Sequence, residues 1–179
     1  MTSFDEPESR QRGFSYVWTL MTIAMLGVGL SIAAEVYALG MKRERERELL
    51  FVGHEFRAAL RSYYRAQMRA GQHEYPASLD DLLKDSRFPG IARHLRRIYI
   101  DPLTGNADWR LVRMGGRIVG IHSRSEGRPV KQDNFDMDDS AFRNRQKYSE
   151  WVFTYPPSLI VDAQMSLGAQ ADRDNQGGE

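Results

Sequence analysis

Nineteen consecutive residues from Tyr16 to Ala34 carry no charge and are mostly apolar, and this run limits what the chain can fold into more than any other feature. At about 1.5 Å of rise per residue, a helix of that length comes close to crossing a hydrocarbon core of roughly 30 Å. A helix buried in a soluble core would show a polar stripe, and this stretch has none. The segment therefore meets a membrane at some stage. Three outcomes are open: a secretory signal that is discarded, an anchor kept whole, or a leader cut at its polar end so that the apolar part stays. Ser31-Ile32-Ala33 offers the small residues a signal peptidase reads, giving a secreted module that starts at Ala34. Against that outcome, Asp5, Glu6 and Glu8 offset Arg10 and Arg12 where a secretory leader is positive, and the run exceeds the usual ~7–15 residues.

The rest of the chain looks like an average soluble protein only because two opposite regions cancel. Mean hydropathy is −0.55, yet residues 14–41 hold one charged residue, Glu35, while residues 42–48, KRERERE, are all charged. A length of 179 residues suits one modest domain plus an anchor and tails. A net charge of +1 gives no field that would recruit nucleic acid, so none is expected as a partner. With no cysteine, a disulfide framework and a cysteine-based zinc site are excluded. Basic residues do not fix the orientation: Arg10 and Arg12 flank one end of the run, and Lys42, Arg43, Arg45 and Arg47 the other. Counted alone, they would put the C-terminal part in the cytoplasm.

Beyond the apolar run, Leu49, Val52, Phe56, Leu60 and Tyr63 recur at spacings of three and four, with Leu50, Ala59 and Tyr64 beside them. No proline interrupts residues 14–75. The pattern predicts one helix from about Phe14 to about Ala70, roughly 85 Å long, ended by Gly71 as its C-cap. Glycines at 27, 29, 40 and 53 each cost this helix up to about 1 kcal/mol relative to alanine. Within KRERERE, partners three apart are mostly opposite in sign and partners four apart include like pairs. The gain within the helix is thus only a few tenths of a kcal/mol per pair. The stretch reads either as a set of lateral contacts between neighbouring helices or as a solvated collar at lipid headgroups.

The remaining residues spell a small α+β head, spanning 71–161. Pro76, the N-cap candidate Ser78 and the face Leu79, Leu82 and Leu83 predict a short second helix, closed by Phe88-Pro89-Gly90. An antiparallel meander is expected from Ile98–Ile100, Trp109–Val112 and Ile118–Ile121, with DPLTGN as one turn and Gly115-Gly116 as a two-residue hairpin. Its apolar face is covered most simply by Val52 through Tyr63 of the long helix. Residues 133–147 are expected to form a loop and a helical turn, and YSEWVF a last short strand. The polar tail, 162–179, is expected to be disordered.

An apolar helix entering a basic-acidic collar, followed by YPASLDDLL, DPLTGN and a small meander, resembles the type II secretion pseudopilins, most closely the major, G-type subunit, within the type IV pilin superfamily. The resemblance covers residues 10 to about 125. Gly13-Phe14 matches that family's prepilin peptidase site. It implies a leader of residues 1–13 removed on the cytoplasmic side, methylation of the new N-terminus at Phe14, and a transmembrane helix over 14–41. It further implies a periplasmic continuation of the spine over 42–70, a periplasmic head, and a single-pass location in the inner membrane. The implied partners are other pseudopilins through the N-terminal helix, the prepilin peptidase/methyltransferase, the inner-membrane secretion platform and the lipid bilayer. The implied role is structural, in a periplasmic pseudopilus that drives protein export, with no catalytic or cofactor-binding residues. One position departs. Where the family has a glutamate four residues after the first residue of the processed chain, this chain has Trp18, which cannot pair with a neighbouring subunit's terminal ammonium. That departure leaves three expectations open: a place at a filament tip, pairing through another acid, or inefficient polymerisation. Glu35 lies seventeen residues on, roughly 25 Å along a helix, and reads as an interfacial residue.

Other chemistry has thin support. The family's calcium site suggests Asp133, Asp136, Asp138 and Asp139 as oxygen ligands, though the spacing matches no EF-hand and Asp138 or Asp139 would serve as a helix start. His54-Glu55 lacks a second histidine, since Ala58 stands in its place. His122 and Ser123 fall on opposite faces of a strand with no third group indicated. His73 and His94 are expected to be solvated in polar loops, and Arg93, Arg96 and Arg97 form a small basic cluster beside Tyr99. Besides the pseudopilin, a membrane adaptor that keeps its N-terminus is the competing expectation.

Overall fold

A computed structural model of the chain describes residues 12–66 and 73–159. Residues 1–11 of the expected leader, the expected helix end at Ala70 with its Gly71 cap, and the tail 162–179 lie outside the described residues. The chain forms two compact units, Met1–Lys42 and Arg43–Glu179.

The described part of the first unit is helix alone. Helix α1, Arg12–Arg65, begins in it and is helical without interruption through the charged stretch. From Ser15 to Lys42 every side chain is exposed, including Trp18, Leu30, Tyr37 and Glu35. The three aliphatic hydroxyls in the apolar run are satisfied locally: Thr19, Thr22 and Ser31 donate to the carbonyls of Ser15, Trp18 and Gly27 at 2.8, 2.9 and 3.1 Å. An intrahelical partner removes the cost of carrying a hydroxyl into hydrocarbon. By length and composition this part of α1 is sufficient to cross a membrane.

In the second unit the same helix becomes amphipathic. Its buried stripe runs Glu46, Leu49, Val52, Phe56, Ala59, Leu60 and Tyr63, the three- and four-residue spacing that places side chains on one face. Against it lies a three-stranded antiparallel sheet, β1 Arg110–Met114, β2 Arg117–His122 and β3 Val152–Thr154, in the order β1-β2-β3. Gly115 and Gly116, at φ +57° and +79°, make the tight β1–β2 turn, which needs left-handed backbone at both positions. Val112 pairs with Gly120 and Arg113 with Ile118, so Val119 bulges out and its carbonyl accepts from Tyr155 N–H at 3.0 Å. Ile118, Ile121, Trp151, Phe153, Phe142 and Tyr148 complete the core. The closest approach is at Gly53, where an added Cβ would fall 2.3 Å from the Phe153 ring. Only glycine lets β3 sit this close to α1.

The meander has three strands, as expected, but not the same three. Ile98–Ile100 makes no strand pairing, and its Tyr99 carbonyl instead accepts the Trp109 indole N–H at 2.8 Å. The third strand is Val152–Thr154, at the end of the YSEWVF stretch expected to form a last short strand, whose YSE part is instead a 3₁₀ turn. Helix α2 is a single turn, Asp80–Leu83. Ser78 and Asp81 cap it reciprocally: Ser78 Oγ accepts from Asp81 N–H, and the Asp81 carboxylate accepts from Ser78 N–H and Ala77 N–H. Met137–Phe142 and Tyr148–Glu150 are 3₁₀ turns, the form taken by the expected helical turn.

Candidate functional site

Gly13 and Phe14 stand in the first turn of α1. The exposed apolar side chains that follow them have no cover among the described residues of their unit, which leaves lipid or another helix to supply it. Trp18 and Glu35 are both on this exposed surface.

In the head, the collar proves not to be wholly solvated. Glu46 is only 3% exposed, and its carboxylate accepts from the backbone N–H groups of Val130 and Lys131 and from the Tyr148 hydroxyl, the last at 2.8 Å. A buried carboxylate needs such donors. Together they fasten the loop around Val130 to α1 at the start of the head. Burial and the hydrogen bond to Glu46 push the Tyr148 phenol well above its ordinary value. Alternating charge hides this in the sequence, because all three glutamates of KRERERE look alike. The face that Glu46 shares with Leu49, Phe56 and Tyr63 is the one available signal.

A second anchor joins α1 to the 3₁₀ turn. Arg57 donates from Nη1 to Asp139 Oδ1 at 2.7 Å and from Nε to the Thr154 carbonyl at 3.1 Å. His54 Nε2 donates to Asp139 Oδ2 at 2.6 Å. Burial alone would raise the Asp139 carboxyl, but the His54 hydrogen bond and the Arg57 charge hold it below the usual carboxylate range. Asp139 is therefore an ion-pair partner as well as one of the two acids in the first turn of this 3₁₀ helix, and the half-exposed His54 is tied to it. Beside this anchor lies a depression of about 440 Å³, lined by His54, Glu55, Arg61, Asp136, Asp138 and Tyr155 among others. Its lining carries charges of both signs, Glu55, Asp136 and Asp138 against Arg57 and Arg61.

The third cluster closes the far end of the helix. Asp85 is buried and receives Nε and Nη2 of Arg87, at 2.9 and 2.7 Å to its two oxygens. Burial would raise the Asp85 carboxyl, but the Arg87 hydrogen bonds, helped by His94, bring it to about 2. His94 lies between Asp85 Oδ2, 3.1 Å from Nε2, and Ser62 Oγ, 2.8 Å from Nδ1. Because the ionised Asp85 only accepts, Nε2 carries the proton and Nδ1 accepts from Ser62. The expectation of a solvated His94 is thus corrected. The order Ser–His–Asp invites comparison with a catalytic relay, but Ser62 lies in the last turn of α1. There the N–H groups are spent on carbonyls and the free carbonyls gather negative potential, the reverse of what an oxyanion needs. The cluster works as a brace between α1 and the 85–95 loop.

The other sequence candidates are dispersed. Asp133 pairs with Arg143 at 2.8 Å, Asp136 and Asp138 are exposed, and no three metal-ligating residues converge among the described residues. Ser123 donates to Asp101 Oδ2 at 2.6 Å, away from the His122 ring, whose Nδ1 faces the Ser123 carbonyl at 3.1 Å. His73 stacks on Tyr64, with ring centroids 4.8 Å apart. Of the basic cluster, Arg97 lies over the Tyr99 ring at 5.2 Å and Arg93 and Arg96 are exposed. No protein-family model, no curated protein and no solved structure matches this chain.

Proposed function

We propose that the protein is a pseudopilin-like structural subunit of a type II secretion system, cut between Gly13 and Phe14, held in the inner membrane by α1 and assembled through that helix into a periplasmic pseudopilus. The observation that carries the reading is that one unbroken helix, Arg12–Arg65, is bare and apolar in its first half and is the buried spine of an α+β head in its second. A subunit that exchanges lipid for neighbouring helices needs the first property. One that carries a folded head on the same rod needs the second. Trp18 removes the acid that would pair with a neighbour's terminal ammonium, which favours a place at the filament tip over one in its body.

Processing tests this reading. Co-expressed with a prepilin peptidase, the wild-type chain should gain mobility on a denaturing gel and the Gly13→Glu variant should not. Equal mobility of the two would favour a membrane adaptor that keeps its N-terminus.

A further inference from the structure

Close to where the apolar segment gives way to charge, the head carries a basic hollow. Arg43, Glu46, Arg47, Leu50, Val130 and Lys131 line a depression of about 300 Å³. Its two arginines come from α1, one turn apart, while its lysine comes from a loop 84 residues further along the chain, counted from Arg47 to Lys131. The loop is held there by the Glu46 carboxylate, whose oxygens take up Val130 N–H, Lys131 N–H and the Tyr148 hydroxyl. That carboxylate carries the only negative charge in the lining, against three cations. Arg47 meets Glu44 at 3.1 Å, but that pair is three-quarters exposed and contributes little. The Lys131 ammonium rests over the Phe135 ring at 4.8 Å, which fixes its stem without neutralising it.

Arg43 follows Met41, the last residue of the apolar segment, by two positions, well under one helical turn. In a chain whose apolar segment spans a bilayer, that depth along the helix is the phosphate layer. We propose that Arg43, Arg47 and Lys131 form a binding site for the phosphate of an anionic phospholipid headgroup. The proposal rests on the membrane-spanning reading of α1. It differs from general attraction between basic residues and an acidic surface, because Lys42 and Arg45 belong to the same collar but not to the hollow. A loop-borne lysine held beside two helix-borne arginines is a built site.

The test is native mass spectrometry of the full chain in mild detergent, offered equal amounts of phosphatidylglycerol and phosphatidylcholine. One basic residue near an acidic lipid is worth about fivefold in affinity. Wild type should therefore retain phosphatidylglycerol over phosphatidylcholine by about tenfold or more. Lys131→Gln should cut that preference about fivefold and Arg43→Gln/Arg47→Gln should abolish it, while Lys42→Gln/Arg45→Gln leaves it intact. Side-chain substitution at Lys131 spares the backbone N–H that Glu46 uses, and far-ultraviolet circular dichroism verifies that each variant folds. The proposal is overturned if wild type shows no preference, or if the Lys42/Arg45 variant loses as much as the Lys131 variant. Displacement of the lipid by millimolar inorganic phosphate would make this a free-anion site and would also overturn it. Flotation with pure phosphatidylcholine vesicles separates the two readings: a chain that does not float refutes the membrane span, whereas one that floats without lipid preference refutes only the site.

Discussion

Replacing Gly53 by alanine sets two opposed effects against each other. In an exposed helix the change stabilises by up to about 1 kcal/mol, because alanine loses less backbone freedom than glycine. At Gly53 the new methyl would meet three Phe153 ring atoms at 2.3–2.4 Å, more than 1 Å inside ordinary carbon contact of about 3.5–4.0 Å. The ring cannot retreat, since Phe153 is fully buried, with Phe142 edge-on at 5.0 Å and His54 at 6.2 Å. Overpacking of this kind costs about 1–3 kcal/mol, and the helical gain offsets part of it, leaving a net loss of about 1–2 kcal/mol. Urea unfolding of the full chain in mild detergent, followed by tryptophan fluorescence, measures it. A Phe153→Leu background should relieve the clash, so that Gly53→Ala costs less there than in the wild type. If Gly53→Ala alone stabilises the head by about 1 kcal/mol, β3 does not rest on this face of α1 and the spine assignment fails.

Four further outcomes follow from the polar anchors, three of them open to the same unfolding assay. Glu46→Gln keeps an oxygen for Val130 N–H and the Tyr148 hydroxyl but removes the charge and turns an amide N–H₂ toward Lys131 N–H, and should cost about 1–3 kcal/mol. Tyr148 should ionise well above an ordinary tyrosine in an absorbance titration of the native protein, and Glu46→Gln should bring its midpoint down. Asp139→Asn leaves the buried Arg57 charge without its carboxylate and should destabilise by about 3–5 kcal/mol, whereas His54→Ala, at a half-exposed partner, should cost less. The Asp85 carboxyl is held down at about 2 in the folded state. Its contribution, on the order of 2 kcal/mol, is therefore complete above the unfolded carboxyl value near 4 and is lost as pH falls toward 2. Asp85→Asn should flatten the acid limb of stability over that window.

The helix and its apolar segment were legible because they are written in local pattern: nineteen uncharged residues, then Leu49, Val52, Phe56, Leu60 and Tyr63 at helical spacing. The Gly115-Gly116 hairpin was legible for the same reason. What the sequence concealed is pairing across long separations. Ile98–Ile100 has strand composition, but β2 takes β3 as its second neighbour, from 30 or more residues downstream. Glu46, Arg57 and Asp139 look like surface charges until the loops that satisfy them are in place, 82–102 residues away. His94 read as a solvated loop residue because Ser62 and Asp85, its two partners, lie 32 and 9 positions off. Charge alone does not say which member of an alternating run faces inward.

The intact mass of the protein purified from cells that carry a prepilin peptidase bears most directly on what this chain is for. A processed pilin-like subunit gives the mass of a chain beginning at Phe14, with or without one added methyl group. A mass that retains Met1 or begins at Ala34 would contradict that account, the first pointing to an anchored adaptor and the second to a secreted module.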